Sequence, residues 1–131
     1  MKTLTIRGFG VVGACVAWHL WWEQRPFLLV DDAQGSSSRV AAGLMHAVTG
    51  KHFALSWRYA EFHPCARDFY QRVEQELQRP LWHDLEVLRW VKQGQWARLS
   101  ERVRAAELQP WWVGDCASAD AVSYTHLTLP T

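Results

Sequence analysis

Residues 8–13 read Gly-Phe-Gly-Val-Val-Gly, a GxGxxG pattern that lies between two short apolar runs. The run at 3–6 is β-prone, and residues 11–23 have the apolar density and length of a helix. Residues 27–30, Phe-Leu-Leu-Val, form the second run, which is closed by two aspartates. Strand, turn, helix and strand occupy about thirty residues, as in the β-α-β units that bind dinucleotides. The sequence therefore predicts an α/β fold that opens with such a unit.

Each glycine of the pattern has a separate expected role. Gly8 lets the chain turn tightly after the first strand, Gly10 removes a side chain that would hold a pyrophosphate away from the backbone, and Gly13 lets helix and strand pack closely. The helix N-terminus, which includes Val11 and Val12, presents unpaired N–H groups and a positive dipole end to the phosphates. These five residues are the first predicted cofactor-binding residues.

A carboxylate follows the second predicted strand. Asp31 is placed where it can accept hydrogen bonds from ribose hydroxyls, and its negative charge disfavours a 2′-phosphate. The pattern therefore favours FAD or NAD over NADP. Arg7 departs from expectation, because a guanidinium at the end of a buried strand must extend to solvent or find a partner.

Small side chains dominate the segment 34–43, Gln-Gly-Ser-Ser-Ser-Arg-Val-Ala-Ala-Gly. Such a composition suits a backbone that passes close to a ligand and forms hydrogen bonds to it. Taken alone, it favours a solvated, serine-rich loop with a helix cap. A family resemblance of the whole stretch, given next, reverses that preference.

Together these motifs resemble the DAO-type FAD-dependent oxidoreductases. This superfamily includes D-amino-acid oxidases and dehydrogenases, glycine oxidase, sarcosine oxidase and the oxidoreductase half of a bifunctional tRNA-modifying enzyme. The resemblance covers well over half of the chain, continuing to the predicted helix that ends near Leu77, and it selects no substrate. It is carried by residues 8–13, Ala17-Trp18-His19-Leu20, Asp31, the segment 36–44, Thr49-Gly50-Lys51 and Ser56-Trp57-Arg58.

The resemblance implies a set of contacts with FAD. Residues 10–12 would lie under the pyrophosphate, Asp31 would hold the adenosine ribose with Asp32 beside it, residues 37–38 would contact the phosphate region, and residues 42–44 would pass near the flavin ring. The implied cofactor-binding residues beyond the glycine pattern are Asp31, Asp32, Ser37, Ser38, Arg39, Ala42, Gly43 and Leu44.

The resemblance also implies a reaction. In such enzymes the flavin accepts a hydride from the carbon that bears a substrate amine, and water hydrolyses the resulting imine. The expected partner is a small-molecule amine or amino acid, and no catalytic residue is assigned. Trp57 and Arg58 could face a substrate pocket, or could serve packing and an ion pair. Two alternatives remain open, namely an NAD-dependent dehydrogenase fragment and a non-enzymatic β-α-β interaction module.

The pattern of the remaining chain predicts one buried helix face, a strand over 85–91 and a second amphipathic helix. Pro64 is expected in a first turn or at a break between helices. The first helix face comprises Phe62, Ala66, Phe69, Val73 and Leu77, and the second helix is marked by Trp96, Leu99, Val103 and Ala106.

Three parts of the chain are predicted. Residues 1–50 form an incomplete Rossmann-like FAD/NAD(P)-binding unit with its flavin loop, and residues 51–121 begin an α+β substrate domain. Residues 122–131, Val-Ser-Tyr-Thr-His-Leu-Thr-Leu-Pro-Thr, resemble the translation of a transposase-type sequencing-library adapter. We expect this segment to be non-native rather than a native extended tail, and the chain to be an inactive N-terminal fragment that holds FAD weakly.

Composition narrows the classes of partner. The chain has 131 residues and a net charge of +1, so no basic excess indicates a nucleic-acid surface, despite nine tryptophans. His46, His52, His63 and His83 have no recognised ligand spacing, and no metal site is predicted. Three widely spaced cysteines favour a reducing, cytoplasmic location. The apolar stretch 9–20 is too short to span a bilayer, so no integral membrane segment is expected.

Overall fold

A computed structural model describes residues 3–35, 37–50, 52–90, 93–105, 107–111, 114–115 and 121–128. The chain forms two compact units that divide between Gly43 and Leu44. The predicted boundary between residues 50 and 51 falls inside the second unit. The role assigned to each part of the chain stays a prediction.

The first unit is a β-α-β arrangement. Strand β1 spans Leu4–Arg7, helix α1 spans Val11–Trp22, strand β2 spans Phe27–Val30, and a short helix α2 spans Ser37–Val40. The strands pair in parallel, from Leu4 opposite Phe27 to Arg7 opposite Val30. A parallel pair needs a crossover connection, which α1 provides. The predicted order of strand, helix and strand is confirmed, and this small parallel sheet is compatible with the α/β class.

Helix α1 ends in a Schellman motif. Gln24 adopts a left-handed φ of 53°, and its N–H donates to the Trp21 carbonyl oxygen (3.0 Å). The Arg25 N–H donates to the Leu20 carbonyl oxygen (2.9 Å), which completes the motif. Pro26 follows, and a proline at this position prevents the helix from continuing. Pro26 therefore has a structural role between α1 and β2.

The second unit combines helices with antiparallel strands. In chain order the elements are β3 (Leu44–Met45), β4 (Val48–Thr49), β5 (Ala54–Leu55), α3 (Tyr59–Leu77), β6 (His83–Trp90), α4 (Gln93–Val103), a 3-10 helix (Gln109–Trp111), β7 (Gly114–Asp115) and β8 (Ala121–Thr128). Strand β8 lies between β3 and β6 in its sheet and also pairs with β7. Strands β4 and β5 form a separate antiparallel pair.

Two predicted elements of this unit are confirmed, because the strand expected over 85–91 is β6 and the second amphipathic helix is α4. Ala106, the last apolar position of that predicted helix, lies outside the described residues. Residues 121–128, most of them in the segment expected to be non-native, form β8. Valine, tyrosine and threonine favour strands in any β-prone segment, so the origin of these residues stays a prediction.

Phe53 lies at the centre of the core of the second unit, and its side chain is 1% exposed. Its φ of 52° lies in the left-handed region, which bulky residues rarely adopt. Burial of the ring therefore offsets an unfavourable backbone conformation. From α4, Val103 is buried in this core, and Trp96 and Leu99 pack against it as their spacing predicted. The buried core residues are Ala47, Val48, Phe53, Tyr59, Val103 and Leu108.

The predicted buried face of α3 is wrong at its ends. Phe62 is 45% exposed and Leu77 is 51% exposed, whereas Tyr59 and His63 are buried. Of the predicted positions, Val73 is buried. The prediction holds in the middle of the helix, whereas at its start Tyr59 and His63 are buried because Trp111 packs against both and Trp82 packs against His63.

Pro64 also differs from expectation, because it lies inside α3 rather than in a first turn or at a break. A proline in a helix removes one backbone hydrogen bond, here to the carbonyl of Ala60. The preceding residue, His63, is packed among aromatic rings. This packing stabilises the turn on both sides of the missing bond, so the helix continues.

The His63 ring lies among three aromatic side chains. It stacks on Tyr59 (5.1 Å between centroids) and meets Trp111 (5.3 Å) and Trp82 (5.6 Å) edge to face. Its Nε2 atom is buried and has no hydrogen-bond partner among the described residues. Burial raises the pKa of Tyr59 to about 12. The same environment disfavours a charged imidazole.

Burial, and then the nearby Arg67 guanidinium, lower the pKa of His63, while the Asp84 carboxylate opposes this shift. As the pH falls below the ordinary value of 6.5, the unfolded chain binds the proton first. We expect the free energy of unfolding to be highest above that pH and to decrease as the pH falls through the lowered pKa. Urea unfolding between about pH 7.5 and about pH 5 measures this slope.

Replacing His63 by phenylalanine keeps a ring and removes the titration, so the slope should flatten. Replacement of the exposed His52 by asparagine is the matched control and should retain the parent slope. An H63F variant as pH-dependent as the parent would contradict the assignment. Glu74, whose pKa is lowered by hydrogen bonds from the Trp82 and Leu81 N–H groups, contributes only at lower pH.

Phe53→Ala should lower the free energy of unfolding by about 3–5 kcal/mol, because it leaves a cavity where a large side chain is fully buried. Phe62→Ala is the matched control, and exposure of Phe62 predicts a loss of about 1 kcal/mol or less. Urea unfolding followed by tryptophan fluorescence measures both. Equal losses in the two variants would place the core elsewhere.

Candidate functional site

The chain turns at Gly8 as it leaves β1. Gly8 has a φ of +94°, which residues with a side chain rarely adopt. Its N–H donates to the Val30 carbonyl oxygen (2.8 Å), which extends the pairing of the two strands. A Cβ built on Gly8 meets nothing within 4 Å. Backbone conformation therefore requires the glycine, and the space beside the turn is open.

Helix α1 packs directly against this turn. A Cβ on Gly13 would lie 2.0 Å from the Gly8 carbonyl oxygen and 3.4 Å from the Ile6 side chain. A side chain cannot approach a backbone oxygen this closely without moving the helix or the turn. The hydrogen atom of Gly13 thus allows the N-terminus of α1 to lie against the end of β1.

Helix α1 begins at an extended N-cap residue, Gly10 (φ −77°, ψ −173°), which has no capping side chain. The Val11 N–H donates instead to the Ser38 hydroxyl oxygen (3.0 Å). The N–H groups of Val12 and Gly13 precede the first i to i−4 bond of the helix. This end of α1 therefore presents backbone donors and the positive end of a dipole to one region of space.

Both aspartates after β2 are held by backbone amides. An Asp31 carboxylate oxygen accepts from the Phe9 N–H (3.2 Å), within the glycine turn. An Asp32 carboxylate oxygen accepts from the Gln34 N–H (3.0 Å), two residues further along the chain. Each carboxylate retains a second oxygen as an acceptor. A cavity of about 280 Å³ beside them is lined by Arg7, Gly8, Val30, Asp31 and Asp32.

The predicted flavin loop continues from this region through α2. The Ala41 N–H donates to the Ser37 carbonyl oxygen (3.0 Å), which closes a single helical turn. Gly43 follows with a φ of 65° in the left-handed region, and Leu44 begins β3 in the second unit. Within this loop, Ser38 lies at the N-terminus of α1, because its hydroxyl oxygen accepts from the Val11 N–H.

The predicted cofactor-binding residues differ in how they are placed. The glycine pattern, both aspartates and Ser38 are connected through the hydrogen bonds and contacts given above. Arg39 and Ala42 are exposed. Leu44 belongs to the other unit. Their assignment as cofactor ligands stays a prediction.

Arg7 is a site residue that the sequence did not predict, because its charge marked it only as a departure from the pattern. The structure places it on the wall of the cavity that Asp31 and Asp32 also line. Among the described residues it forms no ion pair with a carboxylate. A basic residue directly before the glycine pattern, combined with two acids after β2, is the sequence signal for this arrangement.

Arg58 is engaged with side chains of its own segment. It pairs with the Glu61 carboxylate, and its guanidinium lies 5.0 Å from the Trp57 ring centroid and 4.8 Å from that of Phe62. These contacts are those of packing and an ion pair, one of the two roles left open for Trp57 and Arg58. They leave the substrate-pocket role a prediction.

Two other kinds of site are absent from the part of the chain that the structure describes. No group of three or more His, Cys, Asp or Glu side chains there is arranged to hold a metal ion. No helix in that part of the chain has the length and apolar character needed to cross a membrane.

Comparisons with protein-family models, with curated proteins and with solved structures found no match for this chain. The family resemblance therefore rests on the residues and motifs that carry it in the sequence.

Gly13→Ala should lower the free energy of unfolding by about 2 kcal/mol or more, because the new methyl group collides with the Gly8 carbonyl. Hydrogen exchange of the α1 amides and urea unfolding measure the effect, and we expect α1 to lose protection first.

Gly35→Ala is the matched control for this substitution. A Cβ there meets nothing within 4 Å, although its φ of +31° is strained for alanine, so a loss of about 1 kcal/mol is expected. If Gly13→Ala were as mild as Gly35→Ala, close packing of α1 on the turn would be disproved.

Proposed function

We propose that this chain is the N-terminal part of an FAD-dependent oxidoreductase that oxidises an amine or amino-acid C–N bond. The observation that carries the proposal is the 3.2 Å hydrogen bond from the Phe9 N–H to the Asp31 carboxylate. It brings the expected ribose acceptor to the turn that precedes α1. Phe9 and Asp31 are 22 positions apart. Their hydrogen bond brings together the glycine turn and the acid after β2, which are the two recognition elements of an adenine dinucleotide site.

The described residues fit the adenosine diphosphate half of FAD. The backbone donors of Val12 and Gly13 are suited to the pyrophosphate, and the open space beside Gly8 allows a ligand to approach the backbone. Asp31 retains a carboxylate oxygen for ribose hydroxyls, and its charge with that of Asp32 disfavours a 2′-phosphate. When bound, FAD supplies the two-electron oxidant for the C–N bond.

The position of Ser38 supports FAD over NAD. Its hydroxyl accepts from the Val11 N–H, so the serine-rich segment lies at the helix end where the pyrophosphate is expected. The resemblance associates this serine-rich segment with flavin enzymes. We therefore propose FAD as the cofactor, a small amine as the substrate and a cytoplasmic location.

Titration of the full chain tests the proposal. We expect FAD and ADP to bind in a saturable manner and FMN, which lacks the adenosine diphosphate group, to bind far more weakly. Asp31→Ala should raise the dissociation constants for FAD and ADP about tenfold, because hydrogen bonds to a charged acceptor are lost. Flavin fluorescence and amide chemical shifts measure the binding.

Asp68→Ala is the matched control, since Asp68 is an exposed carboxylate on α3, and it should leave these constants unchanged. Tighter binding of NAD than of FAD would favour the dehydrogenase alternative. A chain that binds none of these nucleotides would favour the non-enzymatic interaction module.

A further inference from the structure

The cavity beside the two aspartates contains one unusual side chain. Arg7 lines it together with Asp31 and Asp32, and its guanidinium forms no ion pair with a carboxylate of the described residues. Arg7 is exposed, so its guanidinium extends into solvent at the end of the strand. It is therefore available on the wall of a cavity of about 280 Å³.

The lining of the cavity limits which part of a dinucleotide it can take. The residues at the N-terminal end of α1, Val11 to Gly13, do not line the cavity. A pyrophosphate held by the amides of Val12 and Gly13 therefore lies outside the cavity. Asp31 is placed for the ribose. The group that enters the cavity is therefore attached to that ribose on the side away from the pyrophosphate, where a nucleotide carries its base.

The charges in the cavity select a neutral ring over a further phosphate. Asp31 and Asp32 contribute two carboxylates to the lining against one guanidinium, so a second anionic group would be repelled. A guanidinium is planar and stacks on aromatic faces, which an ammonium group does less well. Arg7 and the acids thus complement a neutral planar base joined to a ribose with free hydroxyls.

We infer that Arg7 stacks on the adenine ring of the bound dinucleotide and determines specificity for a purine at this position. The inference rests on the proposed function and adds to it a residue that the family resemblance does not supply. Arg7 takes no part in oxidation, because its role is to orient the base while Asp31 holds the ribose.

Titration of the full chain with ADP and UDP tests the inference, since the two ligands share the ribose and the diphosphate and differ in the ring. We expect the parent chain to prefer ADP. Arg7→Ala and Arg7→Lys should both weaken ADP binding about tenfold, the effect of losing one desolvated stacking contact. Both should change UDP binding less than about threefold, so that the preference is largely lost.

Arg25→Ala is the matched control. Arg25 is an exposed arginine of the same unit that pairs with Glu23 and does not line the cavity, and its loss should change neither constant. Circular dichroism of each variant checks that the fold is retained, and the exposed position of Arg7 predicts that it is.

Each other outcome has a distinct meaning. An Arg7→Lys variant that binds ADP like the parent would show that charge, and hence a phosphate, is the partner, and would overturn stacking. Equal losses for ADP and UDP, or no loss in Arg7→Ala, would overturn the role of Arg7 while leaving the proposed function intact. A parent chain that binds neither nucleotide would overturn both proposals.

Discussion

The contact between Gly13 and the Gly8 carbonyl is the constraint on which the first unit depends. With 2.0 Å between that oxygen and the position of a Cβ, helix and turn can adopt this packing only if no side chain intervenes. The turn that packs against Gly13 also carries the Phe9 N–H, which donates to Asp31. A small displacement of α1 would separate Asp31 from the backbone amides of Val12 and Gly13, so the packing and the binding geometry that we propose depend on the same atoms.

The parts of the fold that depend on local sequence were predictable. Two apolar runs and a glycine pattern within about thirty residues specify a β-α-β unit because each signal acts over a few neighbouring positions. The face of α3 was not predictable in this way, since Trp82 and Trp111, which lie outside the helix, determine that His63 is buried. Spacing alone could not reveal partners that come from later in the chain.

In the candidate site, too, some features follow from local sequence and others depend on residues that are distant along the chain. The roles of Gly8 and Gly13 follow from backbone geometry that any GxGxxG turn imposes, whereas the bond between Ser38 and Val11 joins residues 27 positions apart. Arg7 was visible in the sequence as an exception to a buried-strand pattern. Only the three-dimensional placement of two carboxylates beside it turns that exception into a feature with a chemical use.

The exposure of β2 affects how the first unit responds to temperature. Leu28, Leu29 and Val30 are 54%, 37% and 47% exposed, whereas strands of parallel sheets are ordinarily covered on both faces. The heat capacity change of unfolding arises mainly from apolar surface newly exposed to water. Much of that surface in β2 is already hydrated in the folded unit. We therefore expect a shallow stability curve for this unit, in which the enthalpy and entropy of unfolding change little with temperature.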